Sequence, residues 1–410
     1  MLYHVHELQN AVAAPMRLVA EAQQMFLRHP MNPLAYTHSG RAMAAACELV
    51  DAGLRPYAKP EFGFTSTAID GVEISVREEV VLRDSFCELL HFKRDVERDD
   101  PRLLIVAPQS GHFATLLRGT VEAMLPDHEV YITDWIDARD VPMSDGDFDL
   151  DDYIDYIITF LEHLGPNTHV MAVCQPSVPV MAAVALMSAD KNLATPSSMT
   201  LMGGPIDTRV QPTQPNDFAK QHSIEWFEQH MVNRVPIIYP GFMRKVYPGF
   251  LQLSGFMAMN FDRHVTAHFN HFNNLVDGDG ESAEAHRRFY DEYRAVMDLP
   301  APYYLQTVER VFQNHDLPRG EFRYRGEKID LTAIKKTGLM TVEGEKDDIS
   351  AVGQTYAAHD ICPHIPKARR GHYVQAGVGH YGVFNGRRWR EEISPRVKKF
   401  IRAQAPSSGK

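Results

Sequence analysis

A short apolar run that ends at a cysteine constrains this chain more than any other feature. Residues 170–173 (V-M-A-V) are too few for a helix and are typical of a strand buried on both faces. Cys174 follows at once, and a helix-like segment begins near Ser177. The free N–H groups and the dipole of a helix N-terminus favour a thiolate. The pattern therefore predicts a nucleophile elbow at the carboxyl end of a sheet.

The usual elbow is Gly-x-Ser-x-Gly, and this chain departs from it at three positions. Ala172 and Pro176 replace the two glycines, and Cys174 replaces the serine. Alanine is nearly as small as glycine, and proline fits the first turn of a helix, where its missing N–H has no partner to lose. The alternative interpretation is an inert core cysteine, as most isolated free cysteines are. A reactive role therefore depends on partners elsewhere in the chain.

Composition limits the classes of function. With 44% hydrophobic and 23% charged residues, 410 residues can bury a large core. The net charge of −11 argues against nucleic acid as a partner. The four cysteines are scattered without a Cys-x-x-Cys pair, which predicts a reducing compartment and neither a zinc site nor disulfides. We see no signal peptide and no apolar run long enough to span a membrane, so we expect a soluble, cytoplasmic protein.

The order of strand and helix patterns predicts an α/β fold. Residues 61–207 begin with alternating, antiparallel strand patterns and continue with strands and helices in turn, as in a doubly wound, mostly parallel sheet. Residues 208–331 lose this alternation and predict an inserted helical cap, after which the sheet resumes over 332–410. Residues 1–60 predict a helical segment packed on the core. Individual helices are expected at 6–28, 38–53, 113–125, 150–164, 353–361 and 389–401.

Candidate partners for the cysteine occur late in the chain. A cysteine nucleophile needs a base, and the base needs an orienting acid. Asp347 and Asp348 follow a predicted strand, and the glycine-flanked His380 follows the last one. Loop aspartates are usually only solvated, and most of the 20 histidines will be structural. The order nucleophile, acid, base along the chain is nevertheless that of hydrolases with a nucleophile elbow, and either aspartate fits as the acid.

An oxyanion that develops on an attacked carbonyl needs preorganised N–H donors. The amide of Gln175, directly after the candidate nucleophile, is one by construction. The second is expected from the loop of residues 108–112, with Ser110 as our choice and Gln109 as the alternative. This loop is otherwise explained as a tight turn between a strand and a helix.

Several stretches closely resemble the intracellular polyhydroxyalkanoate (polyhydroxybutyrate) depolymerases. They are V-M-A-V-C-Q-P-S-V-P-V, P-Q-S-G-H-F-A-T-L-L-R-G-T-V-E, V-Y-I-T-D-W, D-D-Y-I-D-Y, L-M-G-G-P-I-D, G-E-K-D-D-I, Y-A-K-P-E-F-G-F and G-V-G-H-Y-G-V-F-N-G. The resemblance covers nearly the whole chain and implies an α/β-hydrolase fold with a Cys-Asp-His triad. By position it implies Cys174, Asp347 and His380. Asp347 is preferred because it directly precedes the D-I pair, where related polyester synthases carry Asp followed by His-Ile.

The resemblance implies hydrolysis of ester bonds in amorphous poly(3-hydroxybutyrate) granules in the cytoplasm. A thioester on Cys174 would be hydrolysed by water, releasing 3-hydroxybutyrate monomers or oligomers without a metal or cofactor. Coenzyme A can equally accept the acyl group by thiolysis, and the sequence has no motif that decides this. One alternative is a polyhydroxyalkanoate synthase-like acyltransferase, whose elbow would normally keep both glycines. Another is a non-catalytic granule-associated protein.

An insoluble polymer requires the enzyme to adsorb before it cuts. Residues 237–261 are dense in aromatic and Met side chains, and we expect Phe242 and Phe250 to bind the granule surface. Alternatively, these side chains line an internal acyl pocket or pack the cap on the sheet. The sequence leaves open the preferred chain length of the polyester and the oligomeric state, a homodimer included.

Overall fold

Two helices precede the sheet in the computed structural model, which describes residues 2–405. They are α1 (Leu2–Arg28) and α2 (His38–Leu54). Helix α1 continues through Pro15, although proline removes one helical hydrogen bond. Helix α2 begins after Thr37, whose side chain accepts a hydrogen bond from the Gly40 amide and so caps the helix. Within the described residues, no helix is both long and apolar enough to cross a membrane.

The first part of the sheet contains seven strands and three helices. The strands are β1 (Ser66–Ile69), β2 (Val72–Arg83), β3 (Cys87–Arg94), β4 (Arg102–Val106), β5 (Glu129–Trp135), β6 (Thr168–Val173) and β7 (Ser198–Met202). The helices are α3 (Arg118–Met124), α4 (Leu150–Leu164) and α5 (Ser177–Ala189). Strands β1 to β3 pair antiparallel, and β3 pairs antiparallel with β5. Strands β5, β4, β6 and β7 run parallel, since helices connect them across the faces of the sheet.

The segment after β7 is mainly helical. Its helices are α6 (Gln214–Gln221), α7 (Ile224–Met231), α8 (Gly249–Met259), α9 (Phe261–Asp277), α10 (Gly280–Arg294) and α11 (Ala301–Thr307). Its strands have two or three residues each: β8 (Asn233–Arg234), β9 (Lys245–Tyr247), β10 (Leu299–Pro300), β11 (Arg323–Tyr324) and β12 (Glu327–Lys328). We call residues 208–331 the cap.

Two further strands complete the sheet. They are β13 (Gly338–Gly344) and β14 (Arg370–Gln375), and the last helices are α12 (Ala358–Ile361), α13 (Gly386–Arg388) and α14 (Ser394–Gln404). The nine strands of the large sheet lie in the order β1-β2-β3-β5-β4-β6-β7-β13-β14. The predicted doubly wound, mostly parallel sheet with a helical insertion is thus confirmed.

The central strands and α5 are apolar on all sides because both of their faces are covered. Every residue of β6 is buried, and so are ten of the 13 residues of α5. Burying one Val, Leu, Ile or Met side chain stabilises the fold by about 1.5–3 kcal/mol. The joint between β6 and α5 therefore sits on a rigid support.

The two N-terminal helices, expected on the core, contact the cap more than the sheet. Glu48 of α2 accepts a hydrogen bond from Arg287 of α10 at 2.7 Å. The Tyr3 hydroxyl of α1 donates to Asp298, beside β10, at 2.7 Å. Lys59, after α2, pairs with Asp134 of β5 at 2.5 Å, which ties the segment to the sheet.

Candidate active site

Cys174 occupies the sharp turn between β6 and α5. Its backbone φ is +67°, in the left-handed region that residues other than glycine rarely adopt. Its N–H donates to the carbonyl of Met202 in β7 at 2.7 Å, which fixes the turn against the neighbouring strand. The side chain is only half-buried. This is the strained, partly open geometry of a nucleophile elbow.

The two residues that replace the elbow glycines fit their positions. Pro176 has φ −57°, within the range of its ring, and directly precedes α5. Ala172 is fully buried in β6, where a small side chain suffices.

His380 and Asp347 lie at the same edge of the sheet as Cys174. Asp347 follows β13 and His380 follows β14, both at the carboxyl ends of parallel strands. His380 Nδ1 lies 2.8 Å from Asp347 Oδ2. Because an ionised carboxylate only accepts, Nδ1–H donates and Nε2 is left for another partner. Cys174 lies near the ring, and its charge is one of the causes that raise the pKa of His380.

The charges around His380 favour its protonated form. The residue is only 5% exposed, and this burial lowers its pKa. The charges of Asp347 and Cys174 outweigh burial and hold the pKa of His380 well above its usual range. The site therefore stabilises the imidazolium form of His380.

The two candidate acids have different surroundings. Asp347 Oδ1 accepts hydrogen bonds from the amides of Ile349 at 2.9 Å and Ser350 at 2.8 Å, while Oδ2 faces His380. Asp348 is exposed, and its carboxylate accepts from the Asn260 side chain of the cap at 3.2 Å. Asp347 therefore orients the histidine.

Two glycines after β7, to which the sequence pattern assigns no role, leave space for this arrangement. A Cβ on Gly203, whose φ is +56°, would lie 3.2 Å from Cε1 of His380 and 3.4 Å from Oδ2 of Asp347. A Cβ on Gly204 would lie 2.0 Å from the hydroxyl oxygen of Ser177. The signal in the sequence was the Gly-Gly pair at the end of the strand next to β6.

The two expected oxyanion donors lie in turns beside Cys174. Within residues 2–405, neither the Gln175 amide nor the Ser110 amide donates a hydrogen bond to another group of the chain. The cap braces the loop that holds Ser110, because the Met297 amide donates to the Gly111 carbonyl at 2.7 Å. Gly111 has φ +104°, and a Cβ there would lie 2.6 Å from the side-chain oxygen of Gln252.

Buried polar side chains without partners lie next to the turn. Gln109 is 1% exposed and Gln175 is 6% exposed, and both side-chain amides lack hydrogen-bond partners among the described residues. Tyr303 is fully buried, and burial together with the charge of Cys174 raises its pKa well above the ordinary value. An unpaired buried polar group costs about 1–3 kcal/mol. Such groups indicate a polar ligand.

Cap residues cover the site. The ring of His112 lies 5.4 Å from that of Phe256 in α8, and Tyr293 of α10 lies 5.9 Å from Tyr381. Burial lowers the pKa of His112 to about 4, so its ring is neutral. His112 Nε2–H donates to the carbonyl of Tyr293 at 3.1 Å. Helices α8 and α10 therefore lie over this part of the site.

The two phenylalanines expected to bind a granule have different surroundings. Phe242 is 44% exposed. Phe250 packs against α1, stacked on His6 with ring centroids 4.1 Å apart and edge-on to Tyr3 at 5.5 Å. Phe250 is thus covered by α1 and joins the cap to it.

The strand order, together with a cysteine elbow facing a histidine and an aspartate, defines an α/β-hydrolase. Residues 203–405 match the family described as "PHB de-polymerase C-terminus". The chain belongs to this family, the polyhydroxybutyrate depolymerases, and is a carboxylic-ester hydrolase. A search of curated proteins found no match.

Several solved structures are similar in outline. An esterase from Thermogutta terrifontis is 13% identical over 84% of this chain and 98% of its own, with a TM-score of 0.42. A monoacylglycerol lipase from Paleococcus ferrophilus is 9% identical. The match covers 74% of this chain and 95% of the lipase, with a TM-score of 0.40. DcsB in complex with a substrate analogue is 13% identical. The match covers 81% of this chain and 99% of DcsB, with a TM-score of 0.45. These TM-scores are too low to identify a fold. The strand order described above identifies it instead.

Proposed function

We propose that this protein hydrolyses the ester bonds of amorphous poly(3-hydroxybutyrate), or a similar short-chain polyhydroxyalkanoate, with Cys174 as nucleophile. The observation that carries the proposal is the hydrogen bond of 2.8 Å between His380 Nδ1 and Asp347 Oδ2, at the edge of the sheet where Cys174 follows β6. The products would be 3-hydroxybutyrate monomers and oligomers.

The first step transfers the acyl group to sulfur. His380 Nε2 takes the proton of Cys174, and the thiolate attacks the carbonyl carbon of a backbone ester. The amides of Gln175 and Ser110 hold the oxyanion. As the tetrahedral intermediate collapses, the C–O bond breaks and His380 returns its proton to the departing hydroxyl oxygen. A 3-hydroxyacyl thioester remains on Cys174.

The second step frees the enzyme. A water molecule gives a proton to His380 Nε2 and attacks the thioester carbonyl, and collapse expels the Cys174 thiolate. Asp347 stabilises the imidazolium in both steps, consistent with the raised pKa of His380. Coenzyme A could replace water as the acceptor, which would give 3-hydroxybutyryl-CoA.

Two observations support a polyester of hydroxy acids as the substrate. The chain belongs to the polyhydroxybutyrate depolymerase family. In addition, the buried amides of Gln109 and Gln175 lack partners, and a purely hydrocarbon acyl chain would leave them so. Each unit of the polyester carries an oxygen at its third carbon as well as the ester carbonyl, so it can accept hydrogen bonds from both amides.

The substrate is solid, and we propose that the protein acts on cytoplasmic polymer granules. The exposed Phe242 of the cap would contact the granule. Phe250 is covered by α1, so a direct contact of that side chain with polymer is not part of the proposal.

The proposal is tested with purified protein on amorphous polymer, with products resolved by mass. We expect Cys174→Ala to abolish release of 3-hydroxybutyrate, and Cys87→Ala, at a fully buried thiol, to retain it. Parallel reactions with and without coenzyme A identify the acceptor. Wild-type activity in Cys174→Ala would refute the mechanism, and polymer growth from 3-hydroxybutyryl-CoA would favour a synthase-like acyltransferase. Granule binding without hydrolysis or acylation would favour a non-catalytic granule protein.

A further inference from the structure

The outward face of α1 is apolar. Six exposed apolar side chains recur every three or four residues, and a seventh follows two turns later: Leu2, Val5, Leu8, Val12, Met16, Val19 and Phe26. Each is between 45% and 65% exposed. With about 3.6 residues per turn, these positions form one stripe along the helix, and no charged side chain lies within it. We call these seven residues the α1 stripe.

The side of α1 that faces the protein buries Tyr3, Ala20 and Leu27 and also carries polar side chains that pair with α2. Arg28 pairs with Glu48 at 2.5 Å, and Gln24 donates to the same carboxylate at 2.9 Å. Arg17 pairs with Asp51 of α2 at 3.5 Å. An ordinary surface helix buries its apolar face and exposes its polar one. Since the fold leaves the apolar face in water, we infer that something outside the chain covers it.

We propose that the α1 stripe is the surface by which the protein adsorbs to solid polyester, which rests on the proposed function. A helix of 27 residues is about 40 Å long and about 10 Å wide, so the stripe offers about 400 Å². A stable dimer buries about 800 Å² on each partner, twice what the stripe supplies. Leu18 and Met25, both 67% exposed, extend the apolar surface beyond one seam. Solid polyester is a neutral, extended surface, so the stripe can bind it without charged side chains and without a groove of matching shape.

Helix α1 is connected to the cap and to a loop of the candidate active site. His4 of α1 and Phe242 of the cap line one shallow hollow of about 430 Å³, so α1 adjoins the cap surface proposed above. Tyr3 is bonded to Asp298, and the adjacent Met297 amide bonds Gly111 in the loop that holds Ser110. Helix α1 is therefore tied through Asp298 and Met297 to the loop that holds Ser110.

The test compares two double variants. Val12→Glu with Val19→Glu places charges on the stripe, whereas Val72→Glu with Leu193→Glu adds the same charges at exposed apolar positions outside α1. We expect the first to weaken co-sedimentation with amorphous polymer about tenfold or more, and the second to leave it unchanged. Both should hydrolyse a soluble 3-hydroxybutyrate dimer ester at the wild-type rate. Unchanged adsorption of the first variant would overturn the proposal.

Further arms separate this inference from the proposed function and from other occupants. If the wild type binds polymer but cleaves no ester, and the stripe variant does not bind, the proposed function is refuted. The proposed adsorption surface then stands. If sedimentation velocity shows that the wild type is a dimer and the stripe variant a monomer, the proposal is overturned. The stripe would then bind a second copy of the chain. Stripe-dependent binding to phosphatidylcholine vesicles without binding to polymer would overturn it in favour of a membrane.

Discussion

The conformation of Cys174 combines strain with accessibility. Its φ of +67° costs a non-glycine residue roughly 1–2 kcal/mol, which the buried strand and helix on either side must offset. The side chain is only half-buried, so the sulfur stays accessible at the turn. The histidine is buried, yet it keeps a raised pKa because of Asp347 and Cys174.

Asp347→Asn tests the orienting acid. The amide would remove the negative charge that raises the pKa of His380, and it would favour the wrong tautomer of the ring. We expect kcat to fall by about 10³–10⁴-fold with little change in KM. Asp348→Asn is the matched control, since Asp348 is exposed, and it should change kcat less than about threefold. An equal loss in both variants would contradict the assignment.

At the scale of single elements, the ends of three parallel strands form the site. Cys174 follows β6, Asp347 follows β13 and His380 follows β14, while β7 lies between β6 and β13. The end of β7 must therefore leave room for the side chains that meet in front of it. Gly203 meets this requirement.

Gly203→Ala should separate activity from folding. The new Cβ would lie 3.2 Å from the His380 ring, so the ring must shift, and we expect kcat to fall by about tenfold to a hundredfold. Gly320→Ala is the control, because Gly320 has a similar φ of +66° but no neighbour within 4 Å. Thermal denaturation should show comparable strain in both. Equal kcat values would contradict the role of Gly203.

The sequence predicted those elements whose own residues determine their structure. Helix α4 spans Leu150–Leu164, as expected, because Asp149 and Asp152 form a capping box and one face is apolar. The helix expected at 353–361 contains only Ala358–Ile361. The amides of Gly353, Thr355 and Tyr356 instead donate to the buried carboxylate of Glu343. This tertiary contact has no local signature.

The same distinction applies to the site. The sequence pattern predicted that Cys174 and His380 lie at the ends of strands, because each follows a recognisable strand. It could not separate Asp347 from Asp348 without the family resemblance, since only the course of the loop determines which carboxylate faces the ring. It also missed that Phe250 is covered, because the partner that covers it is α1, more than 200 residues earlier in the chain.

At the scale of the whole molecule, Glu48 connects three parts of the structure. It is 7% exposed and accepts hydrogen bonds from Arg28 of α1 and Arg287 of the cap. Burial raises its pKa, but the two arginines outweigh this effect and hold the pKa below the ordinary value of 4.5. A carboxylate with a lowered folded-state pKa stabilises the fold above its unfolded-state pKa, and this stabilisation is lost as the pH falls through the folded-state pKa.

We therefore expect acid to release the N-terminal helices before the sheet unfolds. Hydrogen exchange at about pH 3 and about pH 6 should show that α1 and α2 lose protection at the lower pH. Glu48→Gln should lower stability at the higher pH by about 1–3 kcal/mol and remove much of this pH dependence. Glu284→Gln, at an exposed partner of Arg287, is the control and should behave like wild type. Identical profiles for Glu48→Gln and wild type would exclude this role.

The apolar stripe of α1 also has a consequence for purification. Ammonium sulfate is excluded from protein surfaces and strengthens every contact that removes apolar area from water. A protein with an uncovered row of leucine, valine, methionine and phenylalanine should salt out early and bind tightly to phenyl resins. The double glutamate variant of the stripe should stay in solution at salt concentrations that precipitate the wild type.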